Sequence, residues 1–350
     1  MDKKTFQQRA FEARESLYDI IGEGMLPKVI GVGLCVYLLL AAVFGAYWSM
    51  EPEPFDVRED AAIQASSHQH DVVVGTTTTA TLIRVASTML DKPGGFLSND
   101  ISPPGIWLDN TPSWEYGVLI QVRDLTRAMR ESFSRSQSQS TEDVDLRKAE
   151  PRLNFSNTSW AVPASESEYR AGIKHLDKYL QRLGDRGQTK AQFYSRADNL
   201  NYWLTIVDTR LGSMSQRLSA SVGKRRLNTD LAGDSVAQQS TYSPNEVEVK
   251  TSWWKIDNVF YEARGSAWAL AQFLRAIEVD FADVLKKKNA QVSLQQIIRE
   301  LEATQETIYS PMILNGSGFG LLANHSLVMA SYISRANAAM IDLRDLLSQG

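Results

Sequence analysis

The sequence predicts an all-α protein, with a single N-terminal transmembrane helix followed by an elongated helical-bundle ectodomain. Val29 to Trp48, VIGVGLCVYLLLAAVFGAYW, is twenty residues without a charge, enough at about 1.5 Å per residue to cross about 30 Å of hydrocarbon. Two later stretches, 192–222 and 252–285, repeat apolar residues at alternating threes and fours, the a/d pattern that helices of left-handed bundles require. Strands are missing from the pattern.

The apolar run reads as a retained anchor. Lys28 stands at one end and Tyr47 with Trp48 at the other, residue types that settle at headgroup level. A cleaved signal peptide is the alternative, but its core runs about 7 to 15 residues and ends at small residues. The best cleavage site here, Val43-Phe44-Gly45, is followed at once by bulky aromatics. Lys3, Lys4, Arg9, Arg14 and Lys28 precede the span, and Arg58 alone follows closely. The basic side stays cytoplasmic, so in a bacterium the C-terminal part lies in the periplasm. Cys35, the only cysteine, falls inside the span. That excludes a disulfide within the chain and zinc sites built on thiolates. A net charge of −4 implies no nucleic-acid partner.

Residues 1–28 form a cytoplasmic segment in which Phe6, Phe11, Leu17, Ile20 and Ile21 make a rough apolar stripe, either an amphipathic helix on the inner leaflet or an unordered tail. Pro27 opens the span, residues 29–48. Residues 49–75 read as a juxtamembrane spacer, and 76–350 as the helical periplasmic domain. His68, His70 and Asp71 suggest a metal cluster, but imidazoles one residue apart point oppositely on helix or strand, which favours solvated histidines. A helix over 76–90 is marked by Leu82, Val85, Ala86, Met89 and Leu90 and ended by Asp91-Lys92-Pro93-Gly94-Gly95. The Gly- and Pro-rich stretch 90–110 carries Phe96, Leu97, Ile101, Ile106, Trp107 and Leu108, so it either packs back over the helices or binds a partner. Gly94-Gly95 lacks the context of a phosphate-binding loop.

Thr111-Pro112 is an N-cap signal for a helix carrying Val118, Val122, Leu125, Met129 and Phe133. A serine-rich linker follows, then irregular residues 142–164. Ser165 with Glu168 is a capping box opening a helix with Tyr169, Ile173, Leu176, Leu180 and Leu183 inward. The stripes of 192–222 (Leu200, Leu204, Val207, Leu211) and 252–285 (Phe260, Ala267, Leu274, Phe281) predict an antiparallel hairpin about a polar excursion, 224–250. Ser293 with Gln296 is a second capping box, for a helix through Thr307. The stretch 307–334 carries no charge, yet Asn315, Asn324, His325 and three glycines break it too often for a second span. A buried, glycine-rich turn is expected there, feeding a last helix from Ser326 to Leu347 capped by Asn324.

The candidate chemistry is thin. Ser221-x-x-Lys224 and Ser252-x-x-Lys255 fit S-x-x-K, but the sheet such enzymes need is missing, and Gly233-Asp-Ser235 sits in the polar excursion instead of a strand-to-helix elbow. No H-E-x-x-H or P-loop occurs. The sequons at Asn154, Asn157, Asn315 and Asn324 matter only in a eukaryotic secretory setting. Trp254, Tyr261 and Trp268 form a second row on their helix, either core or a docking ridge. Lys286-Lys287-Lys288 answers a helix C-terminus. What remains is Glu262, Arg264, Asp280, Asn324 and His325, in which a carboxylate and a histidine near an apolar turn suit acid-base work if burial tunes them. Solvated charges and a capping histidine are the simpler account. No cofactor or metal is expected.

KPGGFLSND, IDNVFYEARGSAWAL, VDFADVLKKKNAQ and SPMILNGSGFGLLANHSLVMASYISRANAA resemble a family of proteobacterial inner-membrane proteins known as a domain of unknown function. The resemblance covers nearly the whole chain. It implies a Gram-negative inner membrane and a helical ectodomain, and no activity. The expectation is a non-enzymatic periplasmic protein, bound to the lipid bilayer through 29–48, that scaffolds or regulates an envelope complex through a membrane or periplasmic protein partner. Association with a second copy stays open. The alternatives are a lipid or small-molecule binding module with a pocket under the 90–110 loop, and a hydrolase using Glu262 and His325.

Overall fold

Apolar spacing carries most of this chain into helix. The structure, a computed structural model, describes residues 11–12, 15, 25–136, 141–185, 187, 191–227, 246–310 and 312–349. Most of the N-terminal stripe and the Gly233-Asp-Ser235 motif lie outside them. Helix α1 (Met25–Trp48) is exposed along nearly all its length, with Ala41 and Gly45 buried. It is long and apolar enough to cross a membrane or to be a signal sequence.

The stretch expected as a spacer holds α2 (Val57–Ser67). The Asp56 carboxylate caps it by accepting from the Arg58 and Glu59 amides at 2.8 and 3.1 Å, and Val57, Ala61 and Ala65 are buried. A spacer free of the domain would leave those residues wet. Then come α3 (Thr76–Asp91), α4 (Asn110–Ala128, continued by a π turn over Met129–Phe133), α5 (Leu146–Leu153), α6 (Ser165–Gly184) and α7 (Ala197–Ser219). An antiparallel pair, β1 (Lys224–Leu227) and β2 (Glu246–Val249), sets Lys224 opposite Val249. The chain ends with α8 (Ile256–Asp280), α9 (Ala282–Lys287), α10 (Gln291–Ala303) and α11 (His325–Ser348).

Neither expected capping box forms. Ser165 Oγ instead donates to the Ser156 and Ser159 carbonyls at 2.7 and 3.0 Å, tying α6 to the preceding loop. Helix α10 starts two residues before Ser293, because the Ala290 amide donates to Leu285 O at 2.8 Å and turns the chain directly into helix. Asn324 caps as expected, its Oδ1 accepting from the Leu327 amide at 2.8 Å.

One hydrophobic core joins Leu82, Val122, Phe133, Trp203, Leu204, Phe273, Ile297 and Ile333. The expected α7–α8 hairpin is not the main pairing within it. Helix α8 lies along α4, and α7 along α11. The reason is the small-residue surface of α8. Ser266 Oγ donates to Gly117 O at 2.9 Å, a Cβ on Gly117 would meet Ser266 N at 2.8 Å, and one on Gly265 would meet Trp114 Cα at 3.0 Å. Only glycines allow backbones this close.

Several contacts orient the domain. Thr78 donates to Asp280 from both its amide and its hydroxyl at 2.7 Å, so α3 begins where α8 ends. Trp48 covers Gly94, where a Cβ would lie 2.6 Å from its Cγ, so α3 ends where α1 joins the domain. Trp114 meets Trp268 and Gly265 near the start of α4, while Phe133 meets Phe281 near its end. Helices α4 and α8 therefore run parallel. The connections 92–109 and 154–164, and the described parts of the next two, 220–227 with 246–255 and 304–310 with 312–324, gather at the α1 end, where Leu108 packs on Gly45, Asn99 bonds Ser159, and Arg264 bonds both Glu51 and Thr304.

Candidate functional site

The polar candidates take up separate structural duties. Glu262 receives two 2.5 Å bonds from Arg217 of α7, which raise the guanidinium's affinity for its proton despite partial burial. Arg264 is buried and holds two distant segments together. Its Nε donates to the Glu51 carboxylate at 2.7–2.8 Å, Nη1 donates to Thr304 O and Glu306 O at 2.9 Å, and Nη2 to Gln305 O at 3.1 Å. A planar fork of donors at the negative end of α10 is what a guanidinium suits. Asp280 sits over the first turn of α3. Burial pushes its carboxyl above the usual range, and the Thr78 bonds oppose that.

Asn324 and His325 close the base of a loop. Asn324 Nδ2 donates to Gly316 O at 2.5 Å, His325 Nδ1 accepts from the Leu314 amide at 3.1 Å, and the His325 amide donates to Leu314 O at 2.8 Å. Ser326 Oγ donates to Asn315 Oδ1 at 2.6 Å. With its base pinned, the loop projects outward. Phe319 and Leu321 are 106% and 107% exposed, and Tyr309, Met312 and Leu322 are also exposed. This corrects the buried turn expected here, since the core beneath is already filled by the first turns of α11. Between the loop, α8 and α11 lies a cavity of about 560 Å³ walled by Phe260, Ile308, Val328, Met329 and Tyr332, with Arg264 and His325 at its polar side. Glu262 lines a different cavity, beside Tyr116 and Arg210. Glu262 and His325 are not brought together.

The aromatic row comes apart as well. Trp268 is buried against Phe55 and Trp114, with ring centroids at 6.4 and 5.3 Å. Tyr261 is half-buried beside Phe260, and burial raises its hydroxyl's pKa. Trp254 alone of the row is exposed, edge-on to Trp253 at 4.8 Å. Helix α8 begins only at Ile256, after a 3-10 turn over Trp253–Lys255, so the periodicity had no helix to act on there. Trp107 is exposed on the 3-10 turn Gly105–Trp107. His68 and His70, expected to point apart, stack at 5.8 Å because Gln69 between them takes φ 60°. His68 Nε2 bonds Asp177 Oδ1 at 2.8 Å. Among the described residues, no three His, Cys, Asp or Glu side chains group to hold a metal ion.

Residues 22–350 match a protein family described as uncharacterized protein conserved in bacteria (DUF2333). The chain belongs to that family. No curated protein and no solved structure matches it.

Sequence reasoning missed one feature of this DUF2333 protein. Lys92 Nζ and Glu115 Oε1 pair at 2.6 Å with side chains 1% and 0% exposed. Glu115 also accepts from the Leu97 and Ser98 amides at 2.8 Å and from Ser98 Oγ at 2.5 Å, and Lys92 donates to Gly95 O at 2.6 Å. Burial pushes the Glu115 carboxyl up, against the pull of Lys92. The pair fastens the KPGGFLS turn to α4, and Phe96 and Leu97 are buried beneath it. Where a pocket was expected under the 90–110 loop, the loop's own Phe96 and Leu97 are buried. One signal was available, because Glu115 lies on the same helical face as Val118, Leu119 and Val122, a stripe that is otherwise apolar.

Proposed function

We propose that this is a non-enzymatic, single-span protein of the Gram-negative inner membrane, N-terminus cytoplasmic, whose periplasmic helical-bundle domain scaffolds or regulates an envelope complex. One observation carries the reading. The uncharged loop 309–322 holds Tyr309, Phe319, Leu321 and Leu322 in solvent beside an apolar groove, and large exposed apolar anchors over a groove are how one protein captures another. The polar candidates support it in a different way. Each is committed to a bond that builds the fold, and Glu262 and His325 face different cavities.

A second reading is favoured by the cavity itself. About 560 Å³ of mostly apolar space is within the size range of small-molecule pockets, so an apolar ligand or acyl chain fits there. A photo-crosslinking residue at Leu321, in intact membranes, separates the two. A protein adduct lost on Phe319→Ser supports the scaffold, a lipid adduct supports the ligand module, and no adduct of either kind refutes both. Glu262→Gln and His325→Gln should leave complementation of a deletion strain intact. A folded but inactive Gln variant would move the hydrolase from last place to first.

A further inference from the structure

Four tryptophans of the helical domain are exposed, Trp107, Trp160, Trp253 and Trp254, at 55%, 63%, 70% and 78%. All four lie in connections at the α1 end. Trp107 belongs to the loop whose Leu108 and Pro104 pack on Gly45 of α1, at 3.7 and 3.8 Å from where its Cβ would stand. Gly45 is three residues inside Trp48, about 4.5 Å along the helix axis. This loop therefore overlaps the apolar length of α1, with Ile101 and Ile106 exposed beside Trp107.

The other tryptophans are tied to the same loop. Asn99 Nδ2 donates to Ser159 O at 2.8 Å, which brings Trp160 to it. The Asn258 side-chain carboxamide lies against Asp109, its Nδ2 donating to Oδ2 at 3.1 Å in the orientation that pairs donor with acceptor, so Trp253 and Trp254, one turn earlier, stand there too. The remaining tryptophans of the domain, Trp114, Trp203 and Trp268, are buried. Exposure of indoles is confined to one face.

We propose that this face rests on the periplasmic surface of the bilayer that α1 crosses, with the four indoles at headgroup depth. The proposal depends on α1 being a retained anchor. An indole is apolar over its rings and polar at its N–H, so it is most stable at the boundary of hydrocarbon and water. Four of them in water would be an aggregation hazard. Lys250 and Lys255, exposed beside Trp253 and Trp254, suit the phosphates of that boundary. The fixed contacts to Gly45, Trp48 and Glu51 hold the face at the right height, so the domain sits upright on its anchor instead of swinging from it.

Spin labels on the full chain test this, in vesicles of phosphatidylethanolamine and phosphatidylglycerol. In a Cys35→Ser background, single labels go on Trp107→Cys, Trp160→Cys and Trp254→Cys, with Leu39→Cys in α1 and Val292→Cys at the opposite end as references. The ratio of oxygen to nickel-chelate accessibility should be several-fold higher at the three tryptophan sites than at Val292, and below that at Leu39. If the three sites match Val292 while Leu39 reads as lipid, the anchor stands and the proposal is wrong. An aqueous Leu39 removes the anchor and the proposal with it. Labels shielded from both reagents would mean that another protein or a second copy covers the face, which also overturns lipid contact.

Discussion

Lys92→Met should be among the most damaging substitutions in this protein, although it deletes only one charge. Lys92 and Glu115 are almost wholly excluded from water, and breaking such a pair leaves a buried carboxylate without its counter-charge, a loss of about 3–5 kcal/mol. The second change, Glu115→Gln, removes the uncompensated charge and keeps a carbonyl acceptor for one of the two amides, Leu97 or Ser98, that bond to separate carboxylate oxygens. The double variant should therefore recover about 2 kcal/mol relative to the sum of the single losses. The loss also depends on pH with a definite sign. Burial already raises the Glu115 carboxyl above its ordinary 4.5, so this group's contribution to stability is fully present below that value and falls as pH rises through the folded-state pKa. Without Lys92 that pKa rises further. The Lys92→Met deficit should accordingly be smallest near pH 4.5 and grow toward neutrality. Urea unfolding of the full chain in detergent, followed by circular dichroism at several pH values, measures both effects. Additive single losses, or a deficit flat with pH, would refute the account of a buried and coupled pair.

Three further outcomes follow from the same geometry. Gly265→Ala forces α4 and α8 apart at their closest approach and should destabilise by about 1–3 kcal/mol, whereas Gly31→Ala, with open space around it, should leave urea unfolding unchanged. Arg264→Lys keeps the charge but loses the fork that reaches Glu51 and the three carbonyls of residues 304–306, just past the end of α10. It should lower stability by about 2–3 kcal/mol and speed hydrogen exchange at residues 300–306. Asp280→Asn removes a carboxyl whose pKa burial holds above its ordinary 3.8. Wild type should therefore compare best with this variant below about pH 4, and its relative advantage should shrink as pH rises, which denaturation at acidic and neutral pH reads directly.

The sequence by itself determined what depends on neighbours along the chain. The uncharged run of α1, the inward stripes of α3, α4, α7 and α8, and the Asn324 cap were all legible, because an apolar run, a helical face and a cap are set within a few turns. Two expected capping boxes failed because Ser165 found carbonyls of the preceding loop and α10 started early, showing that even a local signal yields to nearby packing. Tertiary structure alone decided which stripes meet. Periodicity reports that a face is buried but not against what, and here the bare backbone at Gly117 and Gly265 selected α4 as the partner of α8. It also decided what the polar residues do, since Arg264 and Glu51 stand 213 residues apart in sequence. The same is true of the four exposed tryptophans, which are scattered through three loops and share a face only because α3, α4, α6 and α8 all place a connection at the end where α1 enters.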